Sequence, residues 1–303
     1  MSTNGGSTNG GRHLFFSVAV TSVGRILLVR DRILGRVPWR SRFSTAHPGI
    51  SRHTISSGNN QLDAVLVEPT KLPPRGSVLI CHGIGETVQH WIPVQKILAD
   101  SGVASLVFDY AGYGRSTGLY SPAQSEQDAI VAFHFLQDRT APLPVSILGF
   151  SLGSGTATAI LSKVPAHRLI LCAAYTSLRN GAMRMGVPKS FVSVVPAVWA
   201  ANELLRDCPI PVLILHGEKD WLFPPKMAAD NKSFCGSTSE LVIVPKLAHN
   251  EPFRHPKVSY WGHIVARFVV EGTAGLPSTP PEMALSDTPA AVLAKLESEN
   301  NAL

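Results

Sequence analysis

Short apolar, β-branched runs alternate with longer amphipathic stretches between residues 61 and 271, and this alternation limits the possible folds more than any other feature of the sequence. Several short runs are apolar at consecutive positions, which is typical of strands that are covered on both faces. The predicted strands are Leu62–Val67, Ser77–Cys81, Ser105–Phe108, Val145–Leu148, Arg168–Ala173, Val212–Leu215 and Leu241–Val244. The predicted helices are Val88–Ala99, Ser125–Gln137, Leu152–Val164 and Val258–Val270. This order predicts an α/β fold with a mostly parallel, twisted sheet and helices on both faces.

The turn between the fourth predicted strand and the helix Leu152–Val164 holds a serine between two glycines, in the order Gly149-Phe150-Ser151-Leu152-Gly153. The glycines give the chain room for a tight reversal that lifts the serine out of the sheet. The helix then points its first N–H groups and its positive dipole end at the same place, where they favour developing negative charge. This arrangement predicts Ser151 as a nucleophile.

Two later loops supply a base and an acid for this serine. A serine hydroxyl needs an adjacent base, and a histidine base needs a carboxylate that fixes its tautomer. His249 follows the last predicted strand, while Glu218 and Asp220 follow the strand before it. The order serine, acid, histidine is the one expected when each residue stands just beyond a strand of such a sheet. We expect His249 as the base, and we favour Asp220 over Glu218 as the acid because it has more reach.

Attack by a serine on a carbonyl carbon produces an oxyanion, which needs hydrogen-bond donors that are already in place. The backbone N–H of Leu152, directly after the serine, is the first expected donor. The loop after the second predicted strand carries two glycines, which allow the backbone N–H of Ile84 to turn toward a substrate as the second donor. The glycine-rich run that begins at Asp109 lacks the residue order of a phosphate-binding loop, so we interpret it as structural.

Five segments of the chain carry motifs that resemble those of the α/β-hydrolase family. The segments are His82–Gly85, Asp109–Ser116, Gly149–Gly153, His216–Asp220 and Ala248–Asn250. The pattern is most similar to that of the short-cap branch, which contains lysophospholipases, protein depalmitoylases and prolyl-oligopeptidase-like members. The resemblance implies an α/β-hydrolase fold, a catalytic triad of Ser151, Asp220 and His249, and no cofactor. No group of histidines and cysteines in the sequence has the spacing of zinc ligands, so we expect no metal site.

An insertion at Ser177–Cys208, between two predicted strands, corresponds to a small cap. Its run Val192–Ala200 is strongly apolar, and it either covers the active site as a lid or packs on the body of the domain. A lid would present apolar residues to an acyl chain. We therefore expect a serine hydrolase of the carboxylesterase, lipase or thioesterase type, which cleaves an ester or thioester with a hydrophobic acyl group through an acyl-enzyme. A peptidase or amidase of the same fold is the alternative, as is a binding protein that kept the fold without catalysis.

The net charge of +6 is unevenly distributed, because residues 1–53 carry eight arginines and a single acid, Asp31. The rest of the chain is close to neutral, so we expect a small-molecule or lipid-like substrate as partner and no nucleic acid. The arginine-rich segment has the composition of a mitochondrial presequence, but a basic helix on a membrane surface and an unstructured extension fit it equally well. Mitochondrial and membrane-associated locations, the latter through peripheral attachment of this segment, therefore stay open beside a cytoplasmic one.

The sequence divides into three parts on these grounds. Residues 1–60 form a basic N-terminal extension, which is either disordered or a targeting segment. Residues 61–272 form the hydrolase domain, with its cap at about residues 177–208. Residues 273–303 form a tail rich in proline and serine.

Overall fold

The structure is a computed structural model, and it describes residues 48–71, 73–206, 208–236, 238–249 and 257–274. The predictions for residues 1–47 and for the tail from residue 275 lie outside the described residues. The strands are β1 (Ile50–Ser57), β2 (Asn60–Val67), β3 (Gly76–Cys81), β4 (Val103–Phe108), β5 (Val145–Phe150), β6 (Leu169–Cys172), β7 (Val212–Gly217) and β8 (Ser239–Val244). The α-helices are α1 (Val88–Asp100), α2 (Pro122–Thr140), α3 (Leu152–Ala159), α4 (Leu178–Arg184), α5 (Ala201–Leu204), α6 (Pro225–Phe234) and α7 (Lys257–Glu271), and a 3₁₀ helix covers Lys189–Val194.

The strands form one sheet in the order β1-β2-β4-β3-β5-β6-β7-β8. Every neighbouring pair from β4 to β8 is parallel. Strand β2 pairs antiparallel with both of its neighbours, β1 and β4, so among the described strands it alone runs in the opposite direction. The predicted mostly parallel sheet is therefore confirmed. Because parallel strands end at the same edge of a sheet, the segments that follow β3, β5, β7 and β8 meet there.

Helices cover both faces of the sheet, as predicted. On one face, Trp91 of α1 and Phe268 of α7 pack in a cluster with Ile80 of β3. On the other face, Phe133 of α2 packs in a cluster with Leu79, the neighbouring residue of the same strand. Burial of each such side chain contributes about 1.5–3 kcal/mol to the stability of the folded state. No described helix is both long enough and apolar enough to cross a membrane.

Strand β1 lies ahead of residue 61, where the sequence analysis placed the start of the domain. It pairs with β2, and Arg52 forms an ion pair with Asp63 of that strand. Within β1, Ile55 and Ser57 are buried while the other positions are exposed or half-buried. An edge strand with one buried apolar side chain in a polar sequence lacks the apolar run that marks the central strands. The domain body therefore includes this strand, and the expected boundary at residue 60 moves ahead of it.

The cap insertion lies between β6 and β7 and contains α4, the 3₁₀ helix and α5. Arg184 of α4 donates hydrogen bonds of 2.8 Å to the carbonyl oxygens of Trp221 and Leu222, which lie in the loop after β7. Within the cap, Arg179 donates a hydrogen bond of 2.9 Å to the carbonyl oxygen of Val195. These contacts hold the cap over the edge of the sheet where the central strands end.

The turn from β5 into α3 depends on two close approaches of the backbone. A Cβ atom on Gly149 would lie 2.6 Å from the Cα atom of Ser154, and one on Gly153 would overlap the carbonyl oxygen of Cys81 in β3. Glycine at both positions lets the first turn of α3 pack directly on β3 and β5. Ser151 lies between them with φ 49° and ψ −115°. Such a conformation costs a non-glycine residue about 1–3 kcal/mol, and the surrounding packing holds it in place.

Replacing Gly153 by alanine tests this close packing. We expect Gly153→Ala to lower the free energy of unfolding by about 3 kcal/mol, because the new methyl group meets backbone atoms of β3 that cannot move aside without distorting the sheet. Gly236→Ala is the matched control, since a Cβ atom at that exposed glycine meets no described atom within 4 Å. Chemical denaturation of both variants measures the difference, and equal midpoints would contradict the packing account.

Candidate active site

Ser151 occupies the tight turn at the carboxyl end of β5, as the glycine pattern predicted. Its backbone N–H donates a hydrogen bond of 3.0 Å to the carbonyl oxygen of Cys172 in β6, so the turn continues the pairing of the sheet. The carbonyl oxygen of Ser151 accepts hydrogen bonds from the N–H and the hydroxyl group of Ser154, at 3.0 and 2.6 Å. These bonds fix the serine backbone on both sides of its Cα atom.

Ser151, His249 and Asp220 form one hydrogen-bonded chain. The Nε2 atom of His249 lies 3.0 Å from the Oγ atom of Ser151, and its Nδ1 atom lies 2.7 Å from the Oδ2 atom of Asp220. All three residues are buried, with at most 5% of each accessible to solvent. An ionised carboxylate accepts but cannot donate, so Nδ1 carries the proton that bonds Asp220 and Nε2 is left to accept from the serine hydroxyl. The structure therefore brings together three residues that are distant in the sequence.

Glu218, the other acid considered for this site, lies apart from His249. Its Oε2 atom accepts a hydrogen bond of 2.9 Å from the backbone N–H of Lys246, and the residue is exposed to solvent. The Oδ1 atom of Asp220 instead accepts backbone N–H groups of Leu222 and Phe223, at 3.0 and 2.8 Å. These bonds hold the Asp220 carboxylate in one orientation toward His249.

His216 is a second imidazole beside Asp220, and the sequence analysis did not single it out. It lies fully buried in β7, and its Nε2 atom is 2.7 Å from the carbonyl oxygen of Phe223 and 3.4 Å from the Oδ2 atom of Asp220. Burial is the main cause that lowers the pKa of His216, so the ring is neutral and donates from Nε2 to the carbonyl oxygen. Its position four residues before the acid, at a strand end, is the signal that could have identified it. His216 thereby shapes the loop that carries Asp220.

Leu152 and Ile84 both line the cavity above Ser151. Leu152 is the first residue of α3, and N–H groups in the first turn of a helix have no partner within the helix. Ile84 lies in the loop between β3 and α1, where it is 39% exposed. Both residues thus border the same space as the serine, and their role as oxyanion donors stays a prediction.

The loop that begins at Asp109 is bonded to the start of α1. The Oδ1 atom of Asp109 accepts a hydrogen bond of 2.8 Å from the N–H of Val88 at the start of α1, and Ser116 donates to its carbonyl oxygen at 2.5 Å. Burial raises the pKa of the Asp109 carboxyl to about 7, while the bond from Val88 acts in the opposite direction. This acid ties its own loop to the helix next to Ile84, which agrees with its interpretation as structural.

An apolar cavity of about 190 Å³ opens at Ser151. It is lined by Ile84, Tyr113, Tyr120, Ser151, Leu152, Tyr175, Leu178, Gly181, Ala182, Met185, Val187, Val195 and Phe223. Six of these residues belong to the cap, from Leu178 to Val195, so the cap forms one wall of the cavity. The apolar run Val192–Ala200 takes part both in the cavity wall and in packing on the body of the domain. Val195 lines the cavity, while Trp199 is buried in a cluster with Tyr175 and Phe223.

Two cysteines lie in the central strands β3 and β6. Cys81 and Cys172 are buried free thiols, and burial raises the pKa of both, which makes them poor nucleophiles near neutral pH. In the part of the chain that the structure describes, no three histidine, cysteine or acidic side chains lie close enough together to hold a metal ion.

Comparison with known proteins relates this chain to hydrolases. The model of a family described as serine aminopeptidase S33 matches residues 72–189. The chain is 28% identical over 221 residues to the lysophosphatidylserine lipase ABHD12 of Danio rerio, a match that covers 63% of this chain and 58% of that protein. It is 25% identical over 258 residues to protein bem46 of Schizosaccharomyces pombe, with 80% of this chain and 83% of that protein covered.

Solved structures show the same fold at lower identity. A thermostable carboxyl esterase from Bacillus coagulans has a TM-score of 0.62 and 14% identity, covering 75% of this chain and 100% of that one. The Pyrococcus furiosus esterase Pf2001 has a TM-score of 0.59 and 18% identity, covering 72% and 88%. The chain spans only about half of the lipase relatives, with 58% of the Danio rerio protein and 42% of the Rattus norvegicus protein covered.

Proposed function

This chain is an α/β-hydrolase, and we propose that it hydrolyses carboxylic esters through an acyl-enzyme formed on Ser151. The observation that carries the proposal is the buried chain of hydrogen bonds from Asp220 through His249 to Ser151. Ser151, at the end of this chain, lines an apolar cavity. A hydroxyl group beside a neutral, correctly oriented imidazole is what nucleophilic attack on an ester requires.

Acylation uses each of these groups in turn. The Oγ atom of Ser151 attacks the ester carbonyl carbon while Nε2 of His249, 3.0 Å away, takes the hydroxyl proton. Asp220 stabilises the imidazolium that forms, through its 2.7 Å bond to Nδ1. The N–H groups of Ile84 and Leu152 stabilise the oxyanion, and each such donor contributes about 10²–10³ in rate. His249 then returns the proton to the leaving alcohol, which departs and leaves the acyl group on the serine.

Deacylation repeats the same steps with water as the nucleophile. His249 takes a proton from the water, which attacks the acyl carbonyl carbon, and then gives that proton to the Oγ atom of Ser151. The carboxylic acid leaves and the serine hydroxyl is restored. The burial of all three residues strengthens their electrostatic interactions, since few water molecules compete for the same hydrogen bonds.

The lining of the cavity supports a hydrophobic acyl group on the substrate. Its side chains are apolar or aromatic apart from the serine, and the cap supplies one wall. Its volume of about 190 Å³ is below the roughly 300–1,000 Å³ of pockets that hold drug-sized ligands, which favours a single acyl chain. The relatives named as lysophosphatidylserine lipases support a lipid-like substrate. Such a substrate also fits peripheral attachment of the arginine-rich segment ahead of β1 to a membrane.

Peptide hydrolysis is the second candidate, because the matching family model describes aminopeptidases. The same serine, histidine and acid can cleave amides. An aminopeptidase must also bind the α-ammonium group of its substrate, for which an acidic side chain is suited. No acidic residue is among the described residues that line the cavity. This favours the ester over the peptide.

A fluorophosphonate probe tests the proposed nucleophile. We expect the wild-type protein to be labelled on Ser151, because phosphonylation requires a serine that an adjacent base has activated. Ser151→Ala should abolish labelling, and His249→Gln should slow it at least about a thousandfold. Ser233→Ala, at an exposed serine of α6 whose hydroxyl also bonds a backbone carbonyl, is the matched control and should be labelled like the wild type. Gel fluorescence and peptide mass spectrometry measure the adduct, and labelling of Ser151→Ala at the wild-type rate would contradict the assignment.

An acyl-chain series tests the proposed substrate class. We expect kcat/KM on 4-nitrophenyl esters to rise with chain length from acetyl and to exceed kcat/KM on aminoacyl amides, because the cavity buries apolar groups. Ala182→Trp, which fills the cavity from the cap, should lower kcat/KM for long chains about tenfold and spare acetyl esters. Ala197→Trp, at an exposed cap position outside the cavity lining, is its control. A flat series, or equal effects of both variants, would argue against the cavity as the acyl site.

A further inference from the structure

We propose that Glu86 is a positioning residue that fixes the oxyanion loop, defined as residues 82–86, with the N–H of Ile84 rather than that of Gly83 turned toward the substrate carbonyl. The inference rests on the proposed function, in which Ile84 is one of the two oxyanion donors. Glu86 itself touches neither substrate nor nucleophile in this account, and it acts through the backbone of the loop.

One oxygen of the Glu86 carboxylate accepts two N–H groups. Its Oε2 atom accepts a hydrogen bond of 2.8 Å from the backbone N–H of Gly83 and one of 3.0 Å from the indole Nε1 of Trp91 in α1. In return, the backbone N–H of Glu86 donates a longer bond of 3.4 Å to the carbonyl oxygen of Gly83. The side chain thus closes the loop on itself and attaches it to a buried tryptophan.

The oxyanion loop also packs against β5, the strand that ends directly before Ser151. A Cβ atom on Gly83 would lie 3.0 Å from Cδ1 of Phe150 and 3.2 Å from the carboxyl carbon of Glu86, so this glycine is held between the two side chains. Phe150 directly precedes Ser151, and its ring packs edge-on against Trp91 with centroids 5.8 Å apart. Glu86, Gly83 and the turn at Ser151 therefore form one contiguous packed unit.

The consequence concerns which N–H is available to an oxyanion. The N–H of Gly83 is already bonded to Glu86, so it cannot serve as a donor without breaking that bond. Ile84 is the next residue, and it lines the cavity together with Ser151 and Leu152. An oxyanion hole lowers the barrier because its donors are held in place before the reaction. The side chain of Glu86 holds the N–H of Gly83, and the carbonyl oxygen of Gly83, which shares a peptide group with the N–H of Ile84, is bonded by the backbone N–H of Glu86 and lies 2.9 Å from Nδ1 of His82. Gly83 is therefore held on both sides of its Cα atom, which limits how the N–H of Ile84 can turn.

The raised pKa of the Glu86 carboxyl group is compatible with a position near an oxyanion. Burial raises the pKa of Glu86 to about 7, against the opposing effect of the bonds from Gly83 and Trp91. A carboxyl group that is neutral for part of the time places less negative charge near the developing oxyanion. Either form accepts the two N–H groups, so the positioning role needs an acceptor oxygen and not a charge.

Three substitutions test this role in the full chain. Glu86→Ala removes the acceptor and should lower kcat on a 4-nitrophenyl ester about 10- to 100-fold with little change in KM, because the oxyanion exists only after attack. Glu86→Gln keeps an acceptor oxygen and should restore kcat to within about threefold of wild type. Glu86→Met keeps the length without the acceptor, and it carries the same expectation as the alanine variant if that variant does not fold.

A trifluoromethyl ketone, whose hemiketal with the serine hydroxyl mimics the tetrahedral intermediate, gives a second readout. Its affinity should fall with kcat in Glu86→Ala, which a general loss of stability would not produce. Glu126→Ala is the matched control, because Glu126 also accepts an indole N–H, that of Trp199 at 2.8 Å, but lies outside the loop. It should keep the wild-type kcat and inhibitor affinity.

The outcomes separate this inference from the proposed function. Unchanged kcat and inhibitor affinity in Glu86→Ala and Glu86→Met, equal losses in the glutamine and alanine variants, or a loss confined to KM would each overturn the positioning role. Wild-type labelling of Ser151 by the fluorophosphonate would leave the proposed function intact in all three cases. Absence of that labelling in the wild type would instead overturn the proposed function and this inference together.

Discussion

The parallel register of the four strands from β5 to β8 is the constraint on which the site depends. The pairing aligns Phe150 with Cys172, and Cys172 with Leu215, while Gly217 pairs with Val244. The hydrogen bonds continue one residue past the strand ends, from Ser151 to β6 and from Glu218 to β8. Three loops that are far apart in the sequence therefore lie at one edge of the sheet. From there the side chains of Ser151, Asp220 and His249 are long enough to form hydrogen bonds with one another.

Two features of this arrangement cost free energy, the strained backbone of Ser151 and the buried carboxylate of Asp220, and nearby groups compensate for each. The strained backbone of Ser151 is held by the close packing of α3 on the sheet, where a single added methyl group at Gly149 or Gly153 would clash. The buried carboxylate of Asp220 is stabilised by two backbone N–H groups and His249, with His216 close by. Buried polar groups are costly unless they are bonded, so this fully bonded acid fits a site that is built to hold one geometry.

Much of the fold, and the three side chains that meet at the candidate site, could be predicted from the sequence, because the relevant signals are local. Consecutive apolar positions marked the central strands, and the glycines around Ser151 marked its turn. Strand β1 lacked such a signal, since an edge strand buries few side chains. His216 and Glu86 were missed for another reason. Each acts through hydrogen bonds to backbone groups, at Phe223 and Gly83, and a sequence does not reveal which backbone groups a side chain will meet.

The central claim is that this geometry makes Ser151 a nucleophile that carries the acyl group during turnover. Rapid mixing of the protein with 4-nitrophenyl butyrate, followed by acid quenching and peptide mass spectrometry, tests it most directly. The account predicts a burst of 4-nitrophenolate together with a butyryl group on the peptide that contains Ser151. Ester turnover with no acyl group on Ser151 at any quench time, or with the acyl group on another residue, would contradict it.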